Sequence, residues 1–182
     1  MRVLVTGFGP FEDVRVNASA LVAARLTGHI DGAEVVARAL PTAFGEARAQ
    51  IAAEPCDRAI ALGVWRGSDW RIERRAAGRV TSARPDAAGE VWIDRELGPD
   101  RATGLPIDLW AEAIASELGL AAGAVRASDD CGGYVCNATY HALLGRGVPA
   151  VFVHLPRDVG ERGLLASERV VRAVLARLVR AR

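Results

Sequence analysis

The chain reads as an α/β protein built on a mostly parallel, twisted sheet with helices on both faces. Three observations predict this. Short β-branched runs without polar alternation mark strands buried on both faces. Amphipathic stretches of helical period fall between them. Strand alternates with helix along most of the length, an order that right-handed crossovers turn into parallel pairing. The strand runs are Val3–Val5, Glu34–Ala39, Arg58–Leu62, Ala124–Ala127 and Ala150–His154, flanked by Gly, Pro or Asp. Helices are expected over Ala18–Leu26, Phe44–Ala53, Ile107–Leu118, Asn137–Leu144 and Gly160–Arg180. The middle breaks the alternation. Trp70–Ala77, Arg79–Ala83 and Glu90–Asp94 predict a small antiparallel insertion, turned at Gly78 and at Pro85–Gly89. Pro99–Pro106 is expected to be a loop.

With 182 residues and a mass of 19.3 kDa, the chain is expected to form one domain over residues 1–182 with a real core. A hydrophobic fraction of 51% with 25% charged residues indicates neither disorder nor a membrane protein. The net charge of +1 gives no electrostatic reason to expect nucleic acid or anionic lipid as a partner. Arg169, Arg172, Arg177, Arg180 and Arg182 form the one basic concentration and read as the solvated face of the last helix. Three cysteines do not make a disulfide framework. Met1–Gly7 lacks the apolar core of a signal peptide, and no run of ~18 apolar residues offers a membrane span. A cytoplasmic location with free thiols is therefore expected.

In open α/β sheets, sites form beyond the carboxyl ends of the strands. Three segments fit that rule: the loop Gly7–Asn17, the turn before Cys136, and His154 at its strand end. Cys136 follows Gly132-Gly133 and enters an amphipathic helix. Unpaired amides there stabilise a thiolate. The competing reading is a small buried hydrophobe, and spacing alone leaves the two balanced. Cys56 and Cys131 read as structural thiols, and no Cys or His array has zinc spacing. The chain holds three histidines. His29 reads as a surface residue. His141 lies five residues after Cys136, ~500° of helical rotation or ~140° off its face, so it points away. His154 is then the best general base, against the alternative of a core or loop histidine. Glu73 is the best carboxylate to orient such a base, although by sequence alone a charge on an exposed strand face is the favoured reading. Phe8 and Phe11, on a Gly/Pro loop, offer a flat apolar surface or tuck into the core. Phosphate-loop patterns fail, since G-x-G-x-x-G would need glycine where Glu12 stands, and this places nucleotide binding last.

Taken together, these residues resemble the pyroglutamyl peptidase I family of cytosolic cysteine peptidases. The likeness covers V-L-V-T-G-F-x-P-F at Val3–Phe11, Asn17, Glu73-Arg74, Ala83-Arg84-Pro85-Asp86, T-G-L-P-I at Thr103–Ile107, Tyr134-Val135-Cys136-Asn137, and His154-Leu155-Pro156. What it implies is a three-layer α/β/α sandwich, often a homotetramer or otherwise dimeric, with no metal or cofactor. It further implies a triad of Glu73, Cys136 and His154 that releases N-terminal pyroglutamate from peptides through a thioester. By the same resemblance Arg84 lies near the oxyanion, with the Cys136 amide as a second donor. Phe8, Phe11 and Tyr134 would enclose the lactam ring, and Asn17 would order the first loop.

The chain also departs from the family pattern. G-Q-A-G-G-R is here Gly63-Val64-Trp65-Arg66-Gly67-Ser68, and E-R-V-A-I-N is Glu73-Arg74-Arg75-Ala76-Ala77-Gly78. A-R-I-P-D lacks its isoleucine, and the loop up to Thr103 is several residues shorter. These changes surround the insertion expected to cover the substrate. They keep two alternatives open: a thiol amidase for another small blocked N-terminal group, or a pyroglutamate-binding protein with little turnover.

Overall fold

The computed structural model describes residues 1–11 and 14–181. In chain order the first half runs β1 (Arg2–Phe8), α1 (Ala18–Arg25), β2 (Gly28–Ile30), β3 (Ala33–Leu40), α2 (Phe44–Ala53) and β4 (Arg58–Trp65). Five short strands follow with one helix: β5 (Trp70–Glu73), β6 (Arg75–Ala76), β7 (Arg79–Ser82), β8 (Trp92–Glu96), β9 (Arg101–Ala102) and α3 (Ile107–Glu117). The chain closes with β10 (Val125–Ser128), α4 (Val135–Leu144), β11 (Ala150–Pro156) and α5 (Glu161–Arg180).

Seven strands form the main sheet in the order β10-β5-β11-β4-β1-β3-β2. β3, β1, β4 and β11 are parallel neighbours, and β10 is parallel to β5. The β5–β11 and β2–β3 pairs are antiparallel. Alternate residues of the central strands feed two cores. Val3, Val5, Ile60, Leu62, Val151 and Val153 pack toward α1, α3 and α5. Leu4, Ala59, Ala61 and Phe152 pack toward α2 and α4. This is the three-layer α/β/α arrangement, because a strand buried on both faces must find a helix on each. α5 supplies an apolar stripe at Leu164, Val170, Val171, Val174, Leu175 and Leu178. On its polar side Arg172 pairs with Glu168, and Arg177 reaches Glu117.

One element departs from expectation. Trp70–Glu73 is not part of a separate insertion: it lies in the main sheet between β10 and β11. Burial explains this, since Ile72 and Glu73 are both 0% exposed and the Trp70 indole donates to Ser167 Oγ at 3.0 Å. Outside the main sheet, two small antiparallel ladders pair β6 with β9 and β7 with β8. β9 falls within the expected loop Pro99–Pro106, and β2 follows α1 where no strand was expected. Runs of three and two residues are too short for hydrophobic periodicity to register.

Candidate active site

The site gathers at the carboxyl ends of β1, β4 and β11. The Asn17 side chain caps α1, accepting from Ser19 N at 3.1 Å and Ser19 Oγ at 2.8 Å while donating to Gly9 O at 3.1 Å. The Phe8 amide donates to Ser19 Oγ at 2.9 Å, so one capping network fastens both ends of the first loop. Gly7 is required there, because a Cβ would lie 2.3 Å from the Ser19 backbone. Of the expected loop Gly7–Asn17, Glu12 and Asp13 lie outside the described residues.

α4 begins two residues earlier than expected, at Val135, with Tyr134 as its extended N-cap residue. Cys136 therefore sits inside the first turn, where amides have no intrahelical acceptor and the helix dipole favours negative charge. Gly132 reaches φ +79°, and a Cβ on Gly133 would come within 2.6 Å of Thr81 O in β7. The turn thus needs both glycines. Gly63 on β4 completes the seat of Cys136: a Cβ there would lie 2.9 Å from Cys136 Sγ.

His154 stands on β11 in register with Gly63 of β4 and Arg71 of β5. Its Nδ1 shares a 2.7 Å hydrogen bond with Glu73 Oε1. Both groups are buried, at 6% and 0% exposure, so an exposed strand face is excluded for Glu73. The Tyr140 hydroxyl donates to Glu73 O at 3.0 Å and holds that strand end in place. Glu73 Oε2 is buried with no hydrogen-bond partner among the described residues, which ties the carboxylate's charge to the imidazole. Burial alone would lower the His154 pKa, but hydrogen bonds to Cys136 and Glu73, with the charges of both, outweigh it and raise it to about 9. An imidazole held protonated at neutral pH is the partner a thiolate requires.

Phe8, Phe11, Asn17, Arg84, Tyr134, Cys136 and His154 line one cavity of about 290 Å3, and Glu73 lies behind His154. The structure therefore brings every candidate residue to one place. Tyr134 is fixed by donation to Pro85 O at 2.9 Å and by edge contact with Phe44, ring centres 5.3 Å apart. The Arg84 guanidinium lies 5.5 Å from the Tyr134 ring centre. His141 points elsewhere, its Nε2 2.9 Å from Pro99 O. Cys131 also lines the cavity, but burial, with the charges of Glu73 and Cys136, pushes its thiol well above the usual range. It reads as a packing residue. Among the described residues, no group of three or more His, Cys, Asp or Glu side chains is arranged to hold a metal ion.

Several contributors were missed in the sequence. Gly63 looked like a strand boundary. Asn137 looked like a polar helix start, yet it accepts from Ala77 N at 2.8 Å and donates to Ala77 O and Arg79 O at 3.0 and 3.3 Å. Trp65, Arg66, Arg71 and Arg157 also line the cavity. These four carry no motif that marks them; the pairing of β4, β5 and β11 brings them together.

A family model described as pyroglutamyl peptidase matches residues 1–159. A pyrrolidone-carboxylate peptidase of Pseudomonas fluorescens is 37% identical over 171 residues, covering 85% of this chain and 78% of the relative. One from Gloeobacter violaceus is 36% identical over 168 residues, covering 86% and 82%. The crystal structure of pyrrolidone carboxyl peptidase from Thermus thermophilus superposes with a TM-score of 0.85 at 29% identity, over 96% of this chain and 99% of that one. Pyroglutamyl peptidase I from Bacillus amyloliquefaciens superposes with a TM-score of 0.83 at 27% identity, over 98% and 95%.

Proposed function

The chain belongs to the pyroglutamyl peptidase family of cysteine hydrolases, which remove N-terminal pyroglutamate, and we propose that Cys136, His154 and Glu73 carry that reaction here. The observation that carries this reading is the buried 2.7 Å Glu73–His154 bond beside a cysteine in a helix's first turn. The Cys136 thiolate attacks the carbonyl linking pyroglutamate to the next residue. The developing oxyanion is met by the Cys136 amide and the Arg84 guanidinium. Protonated His154 gives its proton to the departing amine, leaving the pyroglutamyl group as a thioester on Cys136. Neutral His154 then deprotonates water, which attacks the thioester and restores the thiolate and imidazolium. Glu73 holds the ring orientation and stabilises its charge throughout. Phe8, Phe11 and Tyr134 enclose the lactam ring while Asn17 keeps the first loop in shape.

Hydrolysis of a pyroglutamyl-coupled fluorogenic amide tests this reading. Wild type should turn it over and Cys136→Ala should not; equal rates would remove Cys136 from the chemistry. A panel of other blocked aminoacyl amides completes the test, since preference for a non-lactam group would favour a different thiol amidase. The same reading takes residues 1–182 as one catalytic domain working in the cytoplasm. Free Cys56, Cys131 and Cys136 suit a reducing compartment. No helix among the described residues is long and apolar enough to cross a membrane. Assembly as a homodimer or homotetramer belongs to this proposal too. It is supported by Val91 and Ile93, exposed at 47% and 61%, and is measurable by sedimentation equilibrium.

A further inference from the structure

The cavity has a side that lactam recognition leaves unused. Val64, Trp65 and Arg66 at the end of β4, Arg71 on β5 and Arg157 just past β11 line it beside Cys136 and His154. In the sheet order, β11 and β5 lie on one side of β4, and β1, with its lactam-enclosing loop, lies on the other. At about 290 Å3 the cavity holds more than a five-membered ring. The spare room is lined by cations. The Arg71 guanidinium lies 3.4 Å from the Trp65 ring centre, with Asp69 Oδ2 3.6 Å from its Nε. Arg66 is exposed, and Arg157 is half-buried with its Nε enclosed. Among the described residues, neither Arg66 nor Arg157 has an ion-pair or hydrogen-bond partner. Asp130 is the one carboxylate among the described lining residues, and its Oδ1 accepts from Gly132 N at 2.9 Å. A guanidinium lining a cavity without a counterion is poised for a carboxylate brought by the ligand.

Resting on the lactam reading above, we propose that this side receives the residue after pyroglutamate and that Arg66 and Arg157, set around the Trp65–Arg71 stack, select a carboxylate there. The carboxylate is either an acidic side chain in second position or the free C-terminus of a pyroglutamyl dipeptide. Two sets of substrates separate these sources. The first holds pyroglutamyl peptides with a C-terminal amide and Glu, Gln or Lys second. The second compares pyroglutamyl-alanine with its amide.

The expected result is kcat/KM about tenfold higher for the carboxylate member of at least one set, as one charge-assisted hydrogen bond supplies. An advantage in the first set identifies an acidic second residue, and in the second a dipeptide. Arg66→Ala should pull the ratio toward one, Arg66→Glu should turn the first set toward Lys, and 0.5 M salt should shrink the advantage. The ratio is the readout because general damage to the site slows all substrates alike. Equal rates within both sets, with the Gln peptide still hydrolysed, overturn this inference and leave the lactam reading standing. Failure to hydrolyse any pyroglutamyl peptide overturns both.

Discussion

The two halves of the site rest on different foundations. His154 and Glu73 stand on interior strands of a seven-stranded sheet, and Gly63 on β4 lies against Cys136. Their positions are set by collective burial, which no single bond controls. The cover is different. β7 and β8 make a two-stranded ladder with Ile93, and Val91 just before it, exposed; buried Val80, the stacking of Trp92 on Phe44 with ring centres 4.4 Å apart, and a few polar contacts fasten it. Asn137 bonds it at Ala77 and Arg79, and Asp86 bonds back to Phe44 N at 2.7 Å and to Ala88 N and Glu90 N at 2.8 Å. The proposed catalytic residues are thus held by the sheet, and the cover by one buried valine, one ring stack and a handful of hydrogen bonds. A cover of that kind tolerates change, and Arg75-Ala76-Ala77-Gly78 is among the segments where this chain departs from the family pattern.

The sharpest break of that contrast comes at the nucleophile. Cys136→Ala should lower kcat on a pyroglutamyl amide by on the order of 10⁵-fold while the thermal midpoint stays close to wild type. A residual rate near wild type would end the proposal.

Glu73→Gln comes next, with kcat down by about 10³-fold. Its pH profile carries more information than its rate. Glu73 helps raise His154 to about 9, so wild-type activity should decline as pH rises through that value, and the variant's alkaline limb should move to lower pH. An unmoved limb would show that the carboxylate does not govern the imidazole. The same shift bears on stability. Because the folded pKa of about 9 exceeds the ordinary histidine value of 6.5, the contribution is full below 6.5 and lost as pH rises through about 9. The wild-type melting temperature should fall across that window by more than that of His154→Ala.

Gly63→Ala would press a methyl group against Cys136 Sγ and Phe152, and kcat should drop about 100-fold through a displaced thiol. An unchanged rate would mean that the nucleophile's seat is looser than the packing indicates.

On the cover, Asn137→Ala should cost about 1–3 kcal/mol of stability by removing bonds to Ala77 and Arg79, and should raise KM more than it lowers kcat. Asp86→Ala should cost about 1 kcal/mol, since it removes the cap of α2, with kcat unchanged. Denaturant melts and steady-state kinetics on both variants would show whether the cover serves recognition. Equal losses in kcat would erase the distinction between the halves.

The sheet was legible in the sequence because Val3–Val5, Arg58–Leu62 and Ala150–His154 are apolar on both faces, a pattern few other structures allow. Cys136 and His154 were legible because each stands at a strand-to-helix turn or a strand end. Glu73 was legible only as the best carboxylate candidate, with an exposed strand face the favoured reading apart from the family resemblance. Its neighbours Arg71, Arg74 and Arg75 give Trp70–Ala77 the look of a solvated strand, and burial of Glu73 depends on β10 and β11 closing around it. Gly63 was invisible for a related reason. A glycine after an apolar run reads as an end, and only the helix crossing above makes the missing Cβ necessary.

Asn137 adjoins Cys136 in sequence and grips Ala77 in space, so the cover and the turn that carries Cys136 are latched together. Lifting the cover to admit a peptide or free a product then means breaking that latch or disturbing the turn that holds Cys136. The amide proton of Ala77, bonded to Asn137 Oδ1, keeps the record. Its exchange with deuterated solvent counts how often the latch opens, and a ligand that closes the site should slow that clock.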